Sequence, residues 1–478
     1  MGGGEGVQLV PNLATSLPTP TDGGKTYAFR LRTGIRYSTG MRVKASDVRA
    51  TFERIFKARK LAPYFTKIRG GGPCLERPAA CDLSVGIVAD DEAGTVTFHL
   101  TAPDGEFLYK LATPTASILP SGTPLSKGGT RPVPATGPYE IGSQTAARLR
   151  LVRNDHFHSW DPVARPAAYP DEILVTLEPT DRAVADVVHG RADVATELAF
   201  APRVAGFATQ HPAQVHTTPA ATTFFWFLNT RRPPFDDVRA RRAVNYALDR
   251  DAYVRTRGGP EAAQPTCQVL PPNFPGYRPY CPYTASPGGG GAWTGSDLPK
   301  ALELVRASGT AGERVTFWMS RQIPNAAALE RIARRTFTQL GYRFSVRRFA
   351  TFDEYYDALG NVRRRAAPQA GATGWSADYP AAATFFAALT CKAAADAANP
   401  SRFCSPAFDR AFGRAQVIQA QDQNAATKLW ARLDRKATNS AAWVPTDTPR
   451  NVDLVSKRVG NFQHHPLFGV LLDQLWVK

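Results

Sequence analysis

The hydrophobic positions of this chain follow two periods, and the switches between them mark most of its elements. Tyr27, Phe29 and Leu31 alternate with small or basic residues, which predicts a half-buried strand. Ser38-Thr39-Gly40 then turns the chain. Val48, Phe52, Ile55 and Phe56 recur at the spacing of one helical face, and Ser46 or Asp47 is placed to cap that helix. Val96 to Leu100 alternates again, and residues 120–135 form a Pro/Gly loop. Leu149 and Leu151 continue the strand period, Asp171-Glu172-Ile173 opens another strand, and 181–196 reads as helix, glycine turn and strand.

The run FFWFLN at 224–229 is apolar throughout, as a strand buried on both faces would be. Pro233-Pro234 breaks the chain, and a helix over 236–250 is expected with Asp236 as its N-cap. From Asp297 the pattern is αβαβ. A helix runs to Gly309, Val315, Phe317 and Met319 form a strand, 325–340 forms a helix closed by Gly341, and Tyr342, Phe344 and Val346 form the next strand. That alternation predicts a mostly parallel sheet covered on both faces, with right-handed crossovers. Residues 407–438 are helical in pattern, and 443–478 return in strand-like pieces.

A length of 478 residues implies two or three domains. No apolar run is long enough for a membrane-spanning helix, and MGGGEGVQLVPNL has no basic start or apolar core of a signal peptide. The six cysteines fall into local pairs, Cys74/Cys81, Cys267/Cys281 and Cys391/Cys404, each in a stretch rich in turn residues. Spacing alone leaves connectivity open, but the even number predicts three surface disulfides and an oxidising compartment. None of the pairs is C-x₂-C, so no metal site is expected there. The net charge is +17, carried mostly by arginine. The arginines are dispersed, with short runs such as 363–365, and no nucleic-acid recognition motif accompanies them; an anionic envelope as neighbour fits the charge equally well.

The wording of several blocks carries more. YAFRLRTGIRYSTGMRVKASDVRATFERIF at 27–56, TGPYEIG with NDHFHSWDP at 136–162, and NTRRPPFDDVRARRAVNYALDR at 229–250 resemble the family 5 extracellular solute-binding proteins, the peptide receptors of bacterial ABC importers. The resemblance implies an α/β, two-lobed, periplasmic-binding-protein-like fold of type II, with an extra subdomain in the first lobe and a ligand cleft between lobes. The expected division is 1–224 with 446–478 as first lobe, 1–135 being the extra subdomain, and 225–445 as second lobe. Hinge closure is how such receptors trap solutes. In this family the first block normally lies further inside the chain. A missing N-terminal segment, with an export signal or lipoprotein anchor, is therefore expected, as is an exposed sheet edge in lobe one.

The resemblance also points to a site. GWSADYP at 374–380 matches the family's W-x-x-D-Y, whose acid pairs with a ligand α-ammonium. Asp378 is the implied carboxylate, with Trp375 and Tyr379 as aromatic walls. The plain alternative is that Asp378 caps the helix containing Phe385 and Phe386 and Trp375 is core. Many members continue with a second acid, whereas Ala381-Ala382 stand here. Trp226, Tyr139 and Asn229 are further candidates, with a structural role as the alternative for Trp226 and Tyr139. No G-x-S-x-G, H-E-x-x-H or P-loop is present, and His156/His158 and His464/His465 lack a ligand pattern. The expectation is a non-enzymatic, monomeric receptor without cofactor or nucleic-acid partner, outside the cell membrane. It would take a peptide or similar small solute to an ABC permease. A ligand-sensing module of a larger signalling protein is the alternative.

Overall fold

The structure, a computed structural model, describes residues 8–59, 61–125, 132–162, 165–198, 206–208, 210–288, 290–361, 367–395 and 398–478. The arginine run at 363–365 lies outside them. The chain forms two compact units. One takes the described residues up to Ala183 with Gln416–Gln423 and Lys457–Lys478; the other takes Val184–Ala415 with Asn424–Ser456.

In the first unit, strands β1 (Thr26–Arg30), β2 (Ile87–Asp90) and β3 (Thr95–His99) form an antiparallel sheet in the order β1-β3-β2. The helix Ala45–Ala58 buries Val48, Phe52, Ile55 and Phe56, the face its spacing predicts. Phe52 meets Phe65 and Phe98 at 4.9 and 5.4 Å, and Phe107 joins Tyr27 at 4.9 Å, so the core is largely aromatic. The start of that helix differs from expectation. Lys44 is the N-cap, and Asp47 sits in the first turn, where its carboxylate accepts from the backbone N–H of Lys44 and Ser121 and from the Tyr37 hydroxyl. Ser46 instead donates to Asp91 at 2.7 Å. A second antiparallel sheet joins β4 (Tyr139–Gln144), β5 (Arg148–Arg153) and β6 (Glu172–Thr176).

The second unit is built on one sheet. β7 (Val194–Ala195), β8 (Val215–Pro219), β9 (Thr222–Leu228), β10 (Ala263–Pro265), β11 (Arg314–Ser320), β12 (Arg343–Phe349), β13 (Ala370–Ser376) and β14 (Trp443–Val455) pair in the order β10-β14-β9-β13-β11-β12, and β7 and β8 also pair with β14. The sheet is mixed rather than mostly parallel. Only β11 with β12 and β11 with β13 run parallel, while β13, β9, β14 and β10 alternate in sense. The crossover rule governs strands joined through a helix, as β11, β12 and β13 are. β9 and β14 arrive from distant parts of the chain and escape it.

The two compact units divide at 183/184 and 456/457, with Gln416–Gln423 in the first. The reason is the length of β14. Its first residues pair with β9 and β10, and its last pair with β8 and β7, so β14 holds β7, β8, β9 and β10 in one body.

Capping chemistry is as expected for Leu298–Ser308, where Asp297 accepts from Lys300 N–H at 2.9 Å and Gly309 closes the end at φ 66°. Around 236–250 it is shifted. The helix is Val238–Ala247 with Asp237 as N-cap, and Asp249 caps a separate helix, Arg250–Thr256. The disulfides join Cys74 to Cys81, Cys267 to Cys281 and Cys391 to Cys404, the three local pairs.

The core of this unit centres on Phe337, fully buried in the helix Ala326–Gln339, with Trp226 at 5.7 Å and Phe344 at 5.6 Å. Truncating such a ring removes transfer energy and leaves a cavity. Phe337→Ala is expected to lower unfolding free energy by about 3–5 kcal/mol in urea titration; a loss below about 1 kcal/mol would contradict this packing.

Candidate ligand-binding site

The segment 374–380 owes its position to two glycines. β13 runs beside β9, with Gly371 opposite Phe227 and Gly374 opposite Phe224. A Cβ on Gly371 would lie 2.6 Å from the Phe227 ring, and one on Gly374 would lie 2.5 Å from the Phe224 ring. The two phenyl rings fill the space that side chains would take, so the strands pack closely at both places. Trp375 follows, opposite Thr223, and Ser376 lies opposite Thr222 with their hydroxyls 2.8 Å apart. The Ala377 N–H donates to the Ala221 carbonyl at 2.8 Å, extending the ladder by one residue.

Beyond that point the backbone turns, and Asp378 is solvent-exposed while Tyr379 is buried. Trp375 is half-buried, and its indole N–H donates to Thr384 Oγ1 at 3.2 Å. Thr384 belongs to the short helix Ala383–Ala387, which starts from Ala382 with no side-chain cap. The N-cap position is therefore Ala382 and not Asp378. The helix is anchored by its aromatic residues, Phe385 against Phe274 at 5.4 Å and Phe386 against Trp430 at 5.9 Å.

Of the six predicted ligand residues, Trp375, Asp378 and Tyr379 stand together. Trp226 is only 1% exposed, within the core, among Tyr253, Phe317 and Phe337. Asn229 is buried too; its amide donates to the Pro368 carbonyl at 3.1 Å and its Oδ1 accepts from Arg231 N–H at 3.1 Å, which fixes the turn after β9. Trp226 is thus packed in the core, and the Asn229 side chain is engaged by the backbone around it. Tyr139 lies in the first unit, where its hydroxyl donates to the Pro170 carbonyl at 2.5 Å and Arg153 lies 6.0 Å over its ring. Partial burial raises its phenol above the ordinary value.

Sequence reasoning passed over the support behind this segment. Asp434 lies in the helix Gln423–Ser440 among the buried Trp430, Leu433 and Ala437. Its carboxylate accepts from Val269 N–H at 3.1 Å, Leu270 N–H at 3.3 Å and the Gln268 side chain. It thus anchors the loop closed by Cys267–Cys281, whose Phe274 packs on the helix Ala383–Ala387. A signal was available: an acid inside the apolar i, i+3, i+4, i+7 stripe of a helix has to find buried donors. Thr222, Ser376 and Thr384 carry no comparable signal.

These units and strands define the class of the molecule. Its structure superimposes on "Clavulanic acid biosynthesis oligopeptide binding protein 2" with a TM-score of 0.84 at 22% identity, covering 99% of this chain and 88% of the other, so the fold is the two-lobed periplasmic-binding-protein fold. The description "Bacterial extracellular solute-binding proteins, family 5 Middle" matches residues 8–396, and the chain belongs to that family. Curated relatives include "Di/tripeptide-binding protein 2" of Pseudomonas aeruginosa, 25% identical over 96% of this chain and 85% of the relative. Another is "Periplasmic oligopeptide-binding protein OppA" of Salmonella typhimurium, 23% identical over 95% and 82%. No helix among the described residues is long and apolar enough to cross a membrane.

Burial pushes the Asp434 carboxyl up to about 7 from an ordinary 3.8, while its donors and Arg435 pull it partly back. A carboxyl raised in the folded state is neutral in both states below the unfolded value. As pH climbs, the unfolded chain ionises first. The stability linked to Asp434 is therefore full below about 4 and is lost as pH rises through about 7. In urea midpoints measured across this window, Asp434→Asn should remove that component of the slope. An unchanged slope would rule out titration of Asp434.

Proposed function

We propose that this chain is a receptor that captures a peptide, or a similar small solute with a free amine, and delivers it to an ABC importer as a monomer. The observation that carries this reading is the solvent-exposed Asp378 at the end of β13, between half-buried Trp375 and buried Tyr379, in a chain of the solute-binding family. An ammonium beside that carboxylate makes a charge-assisted hydrogen bond, contributing about 1.5–3 kcal/mol. The Trp375 face adds apolar area and a π-surface for the same cation. Trp375 is held by Thr384, and the glycines of β13 let the strand pack closely on β9, so the turn that carries the acid follows directly on a well-packed strand.

The relatives described above are named for binding peptides, which favours the receptor over a sensing module. In this reading the protein holds its ligand without turning it over. A ligand recovered unchanged in mass after prolonged incubation supports that, and a cleaved one refutes it.

The ammonium role has its own test in calorimetry with di- and tripeptides and their N-acetylated forms. Asp378→Asn is expected to weaken free-amine peptides by about 10- to 100-fold and to leave N-acetylated peptides unaffected. Unchanged affinity for the free-amine peptides would remove Asp378 from the site.

A further inference from the structure

The helix Ala383–Ala387, which holds Trp375 through Thr384, is too short to hold itself. It has five residues and no side-chain cap, and helices of that length are unstable alone. The backbone bonds at its ends are local: Thr384 N–H to the Ala381 carbonyl, Phe385 N–H to the Ala382 carbonyl and Leu389 N–H to the Phe386 carbonyl. Its fasteners lie on two sides. On one, Phe385 meets Phe274 of the loop closed by Cys267–Cys281. On the other, the chain runs on to Cys391, which is bonded to Cys404. The helix Pro406–Gln419 starts just after Cys404, and its Phe408 lies 6.3 Å from Phe386 and 5.8 Å from Phe403. Asp409 of the same helix accepts from the Cys391 N–H at 3.2 Å. The Cys391–Cys404 bond therefore closes a ring of contacts that runs from Phe386 through both cysteines to Phe408 and back.

The two fasteners differ in access. Of the six cysteines, Cys74, Cys81, Cys267 and Cys281 are buried, Cys391 is half-buried and Cys404 is exposed. Thiol–disulfide exchange needs a thiolate to reach a sulfur, so exposure decides which bond exchanges first. We propose that Cys391–Cys404 is a redox latch on the ligand segment, and that its reduction by a dithiol loosens the helix Ala383–Ala387, frees Trp375 and weakens ligand binding. The inference rests on Trp375 and Asp378 being ligand residues. One thiolate of the dithiol attacks Cys404 Sγ, and Cys391 leaves as a thiolate. The second thiol then attacks the mixed disulfide and releases Cys404. The dithiol ends as a disulfide, and two electrons and two protons end on the two cysteines. With the ring open, Trp375 has to be ordered when ligand binds, which costs affinity. The buried Cys267–Cys281 bond still holds Phe274 in place, so the change is a local loosening.

Treating the native full chain with dithiothreitol, then alkylating and mapping peptides, should label Cys391 and Cys404 before the other four cysteines. Hydrogen exchange at the Thr384 and Phe385 amides should then quicken, a readout that needs no ligand. In calorimetry, free-amine di- and tripeptides should bind about fivefold or more weakly both to the protein so reduced and to the pair Cys391→Ser with Cys404→Ser. The pair Cys74→Ser with Cys81→Ser lies in the other unit and should stay within about twofold of the parent. Trp375→Phe keeps a ring but has no N–H for Thr384. In that variant reduction should change affinity by less than about twofold, a coupling that general destabilisation would not produce. Labelling of all six cysteines at one rate, unchanged exchange in the helix, or an equal loss in Trp375→Phe would overturn the latch. A parent that binds no free-amine peptide refutes the ligand reading instead, and the labelling and exchange measurements still decide the latch.

Discussion

The second unit depends on the burial of β9 on both of its faces. This strand lies between β13 and β14, and each of its aromatic residues has a different demand. Phe225 stacks on Trp443 of β14 with ring centroids 3.6 Å apart. Trp226 enters the core on the other face. Phe224 and Phe227 need room on β13, which only glycine at 374 and 371 leaves. A strand so enclosed cannot slip register without driving all four rings into backbone. The segment after Gly374 inherits that precision, and it is the segment that carries Trp375 and Asp378.

Buried charge sits around the same seam. Arg250 is fully buried and meets no carboxylate among the described residues. Its guanidinium donates to the carbonyls of Thr266, Pro445 and Asn245 and to Asn245 Oδ1, with the Trp293 ring 4.8 Å away. Burial lowers it to about 9, so it remains a cation at neutral pH. Arg257 lies 3.3 Å from the buried carboxylate of Asp447 on β14 and 4.2 Å over the Phe224 ring. Breaking a buried pair of this kind by removing one partner destabilises a fold by about 3–5 kcal/mol. These groups tie the helix Arg250–Thr256 to β14 at the place where β14 passes from β9 and β10 to β8.

Elements with a strong local period were legible. The helix Ala45–Ala58 and the αβαβ stretch from Leu298 to Phe349 follow their spacing closely, because an amphipathic face has only one way to be buried. Caps were less legible. Asp236 and Asp237 are chemically equivalent, and which one accepts from Arg239 N–H depends on where Phe235 is pinned in the core. Strand sense was not legible for β9 and β14, since neither is joined to its neighbour by a short crossover. In the site, the wording of 374–380 brought together Trp375, Asp378 and Tyr379. Residue type alone did not separate the buried Trp226 and Asn229 from the exposed Asp378, because an aromatic or an amide at a strand end serves packing as readily as binding.

The sequence by itself determined the family, the periodic elements and the three local cysteine pairs. These rest on short-range chemistry: spacing, turn residues and blocks of fixed wording. Tertiary structure alone decided which strands pair, where the chain divides, and that Asp434, 54 residues beyond Pro380, holds the loop behind the site. It also decided that Asp378 faces solvent while Tyr379 is buried. Such facts depend on contacts between residues far apart in the chain, and burial is a property of the whole packed unit that no local pattern encodes.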